Sequence, residues 1–594
     1  MSKNTSITGK KWILKDFNQT DIEYLKDNYL LDEMTSRLLS IRKIDKSEIQ
    51  TFLNPAIKNV LPNPDVLKDM EKSTERTCKS ILNKEKIGVF GDYDVDGATS
   101  VALIGSYLKL LKHPFETYIP DRAKEGYGPS VFGITELISK NCKLIFTVDC
   151  GTLSFNPIKE LKSKTDIIVL DHHQSEIKLP EAYSIINPNR HDDKSNLNYL
   201  CAAGVCFMFL ISLNRKLRKN NWFKKNNIKE PNLINFLDLV SLGTICDVVP
   251  LIGLNRALVK QGLKVLNYKK NLGIKTLLDV CNIDADISTY HLGFVIGPRI
   301  NAGGRVGKCS HGTNLLLEDD PKKTFKIASE LNLYNLERKE LEKNLMEKIQ
   351  KKYTDLTNDP VLVLEGENWH EGVIGIIAAR LKDKYNKPVI IISKKDKIGK
   401  ASARSIQGFD IGSYIIAAAQ ENLLIKGGGH KMAGGFTISS SMIDKFKDFI
   451  IRKYVTKNID LSKKKTILID SEIAPSAVNL EFYDKINFLS PFGSGNPEPI
   501  FVINKIKKIN STIVGDKHIK SIFVGEDGTF IKSISFNSID NELGSFLLKK
   551  DNKIVNIAGK LSLNDWRGKK NVEFIIDDIS VNKNNEKMVP SSIG

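Results

Sequence analysis

Three carboxylates stand at every second residue in Gly91-Asp92-Tyr93-Asp94-Val95-Asp96-Gly97, directly after the apolar run Ile87-Gly88-Val89-Phe90. In extended backbone, residues two apart face the same way. The three acids therefore converge on one point just past a strand end. Carboxylates packed so closely repel one another, and a bound cation is the usual remedy. The pattern predicts a hard-metal site. The same D-x-D-x-D-G opening begins an EF-hand loop, which needs a glutamate at its twelfth position. Counted from Asp92, that position is Leu103, and the preceding segment reads as a strand. The calcium loop is therefore rejected.

Further acids follow the same plan. Asp149 comes after Leu144-Ile-Phe-Thr-Val148, and Asp171-His172-His173 after Ile167-Ile-Val-Leu170. Asp247 is a lone charge in Leu242-Gly-Thr-Ile-Cys-Asp-Val-Val-Pro-Leu251. Such an acid is costly to bury unless paired or metal-bound. Singly, Asp149 reads equally well as a helix cap and Asp247 as a helix end. Together with the two histidines, the set suits one or two divalent ions. Oxygen-rich ligation with few nitrogens favours magnesium or manganese over zinc. Two ions held by carboxylates are common apparatus for phosphoester cleavage.

The elements that must position these groups are legible. From about residue 85 to 250, apolar strand candidates alternate with helical stretches such as Ala98–Leu111 and Asn156–Lys162. This predicts a mostly parallel α/β sheet, and ligands of such sheets bind beyond the carboxyl ends of the strands. Residues 321–353 carry Phe325, Leu331, Leu336 and Leu341 at helical spacing, a long helix joining two domains. A second α/β unit runs from about 360 to 455, with strands near Val361–Leu364 and Val389–Ile392 and a helix at Ile374–Leu381. Leu461-Ser-Lys-Lys-Lys-Thr466 reads as a linker. Short alternating runs follow: Ile500–Ile503, Ser521–Val524, Ile531–Phe536, Ile554–Leu561 and Asn571–Ile576. They form a small β-barrel pattern of the OB type. Residues from Asn582 onward read as disordered.

The chain of 594 residues is long enough for several domains, and its net charge of +18 favours a polyanionic partner, nucleic acid first. A general enrichment in Lys, Asn and Ile makes the charge supporting evidence only. The eight cysteines include no C-x-x-C pair, which argues against a zinc ribbon or a disulfide scaffold. The start, Met-Ser-Lys-Asn-Thr-Ser, has no apolar signal core, and no apolar run is long enough for a membrane span. The expected location is a reducing cytoplasm.

The order GDYDVDG, VDCG, DHH and GTICDVVPL resembles the DHH phosphoesterase superfamily. Gly297-Pro-Arg-Ile-Asn-Ala-Gly-Gly-Arg305, Trp369-His-Glu-Gly-Val-Ile-Gly375, Ala401-Ser-Ala-Arg-Ser405 and Gly427-Gly-Gly-His-Lys-Met-Ala-Gly-Gly435 narrow the likeness to the RecJ family of bacterial single-strand-specific 5′-to-3′ DNA exonucleases. The likeness covers nearly the whole chain. It implies an N-terminal extension over 1–50, a catalytic domain over 51–320, a connecting helix over 321–355, a DHH-associated domain over 356–458, an OB-fold over 459–585 and a disordered tail over 586–594. It also implies two divalent cations, Mn2+ or Mg2+, held by Asp94, Asp96, Asp149, His172 and Asp247, with Asp149 bridging. Asp92 would complete or support the first metal site. Asp171 would orient the histidines, and His173 would contact the scissile phosphate.

Substrate grip has its own candidates. Gly427–His430, including Gly428, Gly429 and His430, can present successive N–H groups as an anion nest. The Arg404 guanidinium can bind phosphate bidentately. The resemblance implies that Ser402 and Arg404 pocket a 5′-terminal phosphate and that Arg299, Asn301 and Arg305 line the path to the metals, with Arg122 a further contact. An ordinary surface ion pair is the competing reading for each arginine. In the barrel, Trp566, Phe501 and Phe536 are possible base stackers, core burial being favoured for the two phenylalanines. The implied function is release of 5′-mononucleotides from single-stranded DNA in recombination and repair, by a monomer working with a single-strand-binding protein and a helicase. Two alternatives compete. A DHH enzyme of small substrates has no use for the added barrel. A non-catalytic DNA-binding scaffold would not keep every ligand position filled.

Overall fold

The computed structural model describes residues 6–122, 124–353, 355–356, 358–457, 465–551, 553–566 and 569–581. The linker lysines Lys463 and Lys464 and the tail from Asn582 lie outside the described residues. So do the side chains of Asp565, Trp566 and Lys569. The chain divides into two compact units. One comprises residues 60–249 and 257–461; the other comprises 1–59, 250–256 and 462–594.

The first unit begins with a five-stranded sheet, all parallel. Its strands are β1 (Ile87–Gly91), β2 (Phe115–Tyr118), β3 (Leu144–Val148), β4 (Asp166–Leu170) and β5 (Ser184–Ile186), in spatial order β2-β1-β3-β4-β5. Parallel sheets are covered on both faces, which is why β1 and β3 are buried at every residue. Gly91 pairs with Val148, Val148 with Leu170, and Leu170 with Ile186. The residues that follow, Asp92, Asp149, Asp171 and Asn187, therefore leave the sheet along one line.

Helix α1 (Val95–Leu110) starts under the acidic loop. Helices α2 (Ala202–Lys219) and α3 (Leu237–Cys246) pack against it. Helix α4 (Gly297–Val306) precedes the long α5 (Pro321–Lys352). Along α5, Leu331, Leu345 and Ile349 are buried. Phe325 and Leu336, expected on the apolar stripe, face solvent at 61% and 53% exposure.

The second half of this unit holds β6 (Leu362–Glu367), α6 (Glu371–Tyr385), β7 (Val389–Lys395), β8 (Ile398–Arg404), α7 (Ile411–Gln420), β9 (Lys426–His430) and β10 (Ala433–Ser439). The sheet order is β9-β10-β8-β7-β6, with only β6 and β7 parallel.

In the other unit, β11 (Phe501–Val514), β12 (His518–Val524), β13 (Phe530–Ser535), β14 (Ile554–Trp566) and β15 (Lys569–Val581) run in the order β11-β12-β13-β15-β14. Pairing of β14 back onto β11 closes the barrel. The N-terminal extension expected over 1–50 falls within this unit. Leu38, Leu39 and Ile49 share a core with Phe501, Phe523 and Phe574, and Lys11–Leu14 pairs with Thr466–Ile469. Phe501 is fully buried as expected. Phe536 is not: it is 51% exposed, edge-on to His518 at 5.2 Å. No helix among the described residues is long and apolar enough to cross a membrane.

Candidate metal centre and anion cavity

The acidic loop is shaped by its own side chains. Asp94 is the N-cap of α1 and accepts from the Gly97 N–H at 3.0 Å. A Cβ at Gly97 would lie 2.5 Å from the Asp92 carbonyl oxygen, so only glycine lets the helix start this close to the strand end. Asp96, in the first turn, accepts from Ala202 N at 2.6 Å and Ala203 N at 3.0 Å, at the N-terminus of α2. Asp149 sits at φ +59°, a conformation that non-glycine residues seldom adopt. Asp247 caps the C-terminal end of α3, which carries it to the same place.

Three overlapping clusters result, each with its ligand atoms within 4.8 Å of one another: Asp92, Asp94 and Asp149; Asp96, His172 and Asp247; Asp149, His172 and His173. His172 Nε2 lies 3.3 Å from Asp149, 3.6 Å from Asp247 and 3.8 Å from Asp96. Burial, and then the charge of Asp94, raises both Asp92 and Asp149 above the usual carboxylate range; Asp96 and Asp92 raise Asp149 further. Asp247 is pushed up to about 8 by burial and by Asp96 and Asp94. Asp92 Oδ1 is buried with no hydrogen-bond partner among the described residues. Crowded acids and an orphan oxygen fit divalent cations, because a cation satisfies the oxygen and reverses the repulsion. The donors are mainly carboxylates, as magnesium and manganese prefer. Asp92 thus stands among the candidate ligand atoms.

Asp171 belongs to none of the clusters. Its Oδ1 accepts from His173 Nδ1 at 2.7 Å and from the N–H groups of His172 and His173, while Oδ2 accepts from Thr152 N. Burial opposes its charge, but the hydrogen bond and charge of His173 hold it well below the ordinary range. Burial likewise opposes the His173 imidazolium. The hydrogen bond and charge of Asp171, with Asp247 and Asp96, raise it to about 9. Tyr127, which has no role in the sequence reading, places its Oη 2.9 Å from the Asp149 carbonyl and 3.0 Å from His173 Nε2. Its loop carries no local metal-ligand signal, so only the fold exposes this contact.

Beside the centre lies a cavity of about 1090 Å³ lined by Arg122, Arg305, Ser402, Arg404 and Gly428 of the sequence candidates, together with Tyr127. The Arg122 guanidinium stands over the Tyr93 ring at 5.4 Å. Arg305 bonds the Gly372 carbonyl, and Arg404 bonds Ser402 Oγ and the Ala403 carbonyl. Among the described residues none of these three arginines makes an ion pair. Burial lowers Arg305 to about 10, helped by Arg122, and lowers Arg404, again with Arg122. Clustered guanidiniums outside any ion pair among the described residues suit an anion.

Four of the sequence candidates lie off this cavity wall. Gly427–His430 is not a nest but part of edge strand β9, paired with β10. In a strand, successive N–H groups point to opposite sides and cannot converge. Of this run Gly427 and Gly428 border the cavity; Gly429 and His430 are exposed elsewhere. Arg299 turns away, with Nε on Asn332 Oδ1 and Nη1 on the Val295 carbonyl. Asn301 is not on the cavity wall.

Comparison with known proteins places the domains in a family. Residues 86–244 match the DHH family N-terminal domain, 358–456 the DHHA1 domain and 469–578 the RecJ OB domain. The single-stranded-DNA-specific exonuclease RecJ of Escherichia coli K12 is 35% identical over 548 residues, which covers 89% of this chain and 92% of that protein. Crystal structures of RecJ from Thermus thermophilus superpose with TM-scores of 0.78 (with Mn2+, 25% identity) and 0.74 (with Mg2+, 23% identity). They cover 96% and 97% of this chain and 79% of the Thermus protein. The likeness extends through every domain, and the chain belongs to the RecJ family.

Proposed function

We propose that this chain is a single-stranded-DNA-specific exonuclease. It hydrolyses phosphodiester bonds from the 5′ end and releases 5′-mononucleotides in DNA recombination and repair. The observation that carries the reading is the adjacency of a carboxylate centre and an arginine-lined cavity, joined by Tyr127. Asp92, Asp94, Asp96, Asp149, His172 and Asp247 would hold two divalent cations, Mn2+ or Mg2+, with Asp149 shared. When bound, such ions supply Lewis acidity and an acidified water.

The chain's own residues do the rest. Arg122, Arg305, Arg404 and Ser402 bind the terminal 5′-phosphate, and Gly428 leaves room for it. Asp171 keeps His173 protonated, and the imidazolium faces the scissile phosphate and steadies its charge. The fixed separation between cavity and acids sets both the polarity and the one-nucleotide step. In this reading residues 51–320 are catalytic, 356–458 grip the 5′ end, and the barrel of 459–585 binds trailing DNA. The reading extends to a cytoplasmic monomer working beside a single-strand-binding protein and a helicase; the DNA-processing role alone supports that extension.

Digestion of 5′- and 3′-labelled single strands and duplexes, with and without manganese, tests it. Metal-dependent early release of the 5′ label from single strands is expected. Early release of the 3′ label contradicts the polarity, and equal digestion of duplex contradicts the strand specificity.

A further inference from the structure

The fourth residue on the line Asp92, Asp149, Asp171 is not an acid. It is Asn187, next after β5, and it is fully buried. Its side-chain N–H groups donate to Thr152 Oγ1 at 2.8 Å and to the His173 carbonyl at 2.9 Å. Its Oδ1 accepts from Asn189 N at 2.8 Å, and the Asn189 amide in turn donates to the His172 carbonyl. Thr152 closes the circuit by donating its N–H to Asp171 at 3.0 Å. One amide therefore ties the loop after β3, which carries Asp149, to the loop after β4, which carries His172 and His173. Both loops contribute to one of the three clusters, and each contributes to one of the other two.

We propose that Asn187 is a positioning residue: it fixes the separation of Asp149 from His172 and His173, and thereby the affinity of the centre for divalent cations. The inference rests on the metal reading above. An amide suits this post because it donates twice and accepts once, which uses both of its N–H groups and one lone pair of its oxygen. An aspartate there would face the His173 carbonyl with no proton to give. Residues that orient ligands in this way typically change metal affinity by about 10–100-fold when removed.

The test titrates Mn2+ into the full chain and follows the free-ion EPR signal, beside kcat and KM for single-stranded DNA. In Asn187→Ala the Mn2+ affinity falls by about 10–100-fold, and kcat falls while KM moves little. Thr152→Val keeps the shape, removes one acceptor and gives a smaller loss. It decides the matter if Asn187→Ala does not fold. Ser184→Ala is the control: it removes the buried Ser73–Ser184 hydrogen bond at the far end of β5. It lowers the melting temperature and leaves Mn2+ affinity alone. Wild-type affinity in both Asn187→Ala and Thr152→Val overturns the proposal, as does an equal loss in Ser184→Ala. A wild-type chain that binds no Mn2+ overturns the metal reading and this inference with it.

Discussion

The two walls of the site are electrostatic opposites. The DHH wall gathers five aspartates and two histidines with no lysine or arginine among the clustered atoms. The cavity wall gathers Arg122, Arg305 and Arg404, none of them in an ion pair among the described residues; its Glu371 is paired with Lys400 instead. Each wall is destabilised alone: Asp92, Asp96, Asp149 and Asp247 are raised, and two of the arginines are lowered. Each therefore gains from a ligand of opposite sign, cations on one side and a phosphate on the other. Folding energy invested in like charges is recovered only on binding.

Removing an acid breaks the comparison most severely. Asp149 belongs to two clusters. Asp149→Ala should lower kcat on the order of 10³-fold, about 4 kcal/mol, while 5′-phosphorylated DNA is still bound. Loss of DNA binding with kcat retained would show that the walls do not divide the work. The reverse pattern belongs to Arg404→Ala, because charge-assisted bonds contribute about 1.5–3 kcal/mol each. KM for 5′-phosphorylated strands should rise about 10–100-fold, and the preference over 5′-hydroxyl strands should disappear. An unchanged preference would remove Arg404 from the phosphate site.

Asp238 sharpens the contrast from outside the site. It is buried, and burial alone raises it to about 6. The native state then holds its proton more tightly than the unfolded chain. The destabilisation is absent below about pH 4 and complete above about pH 6. Asp238→Asn should stabilise the protein at pH 7 by roughly 2–3 kcal/mol and not at pH 3.5, as read by denaturant melts. Equal effects at both pH values would be incompatible with this assignment. The smallest effects belong to Arg299→Ala and His430→Ala, whose side chains lie off the cavity wall. Both should change KM by less than about 3-fold; a larger change would return them to the DNA path.

The acids were legible because each ends a strand whose apolar run announces it. Asp92 could be read from its own motif, whereas Asp149, equally a helix cap when taken singly, became legible only beside Asp171 and the histidines. Asp247 was legible as a misfit in an apolar helix. The anion cavity was less so. Ser402 and Arg404 lie in a strand where alternation sets their faces, but Arg299 and Arg305 share one helix, and only packing decides that Arg305 reaches the cavity. The glycine run misled because composition does not distinguish a nest from an edge strand. Phe325, Leu336 and Phe536 misled because apolar residues also occur on surfaces.

By itself the sequence determined the chemistry: a hard-cation centre of carboxylates and imidazoles, a parallel sheet to hold it, an arginine downstream suited to phosphate and a barrel. Those features are written in residue type and in local periods of two and 3.6. The tertiary structure alone decided the register that lines up Gly91, Val148, Leu170 and Ile186. It decided that Asn187 stands fourth in the row, that Tyr127 joins the two walls, and that Asp92 is among the candidate ligand atoms. Register and juxtaposition arise from pairing between segments far apart in the chain, and no local pattern encodes them.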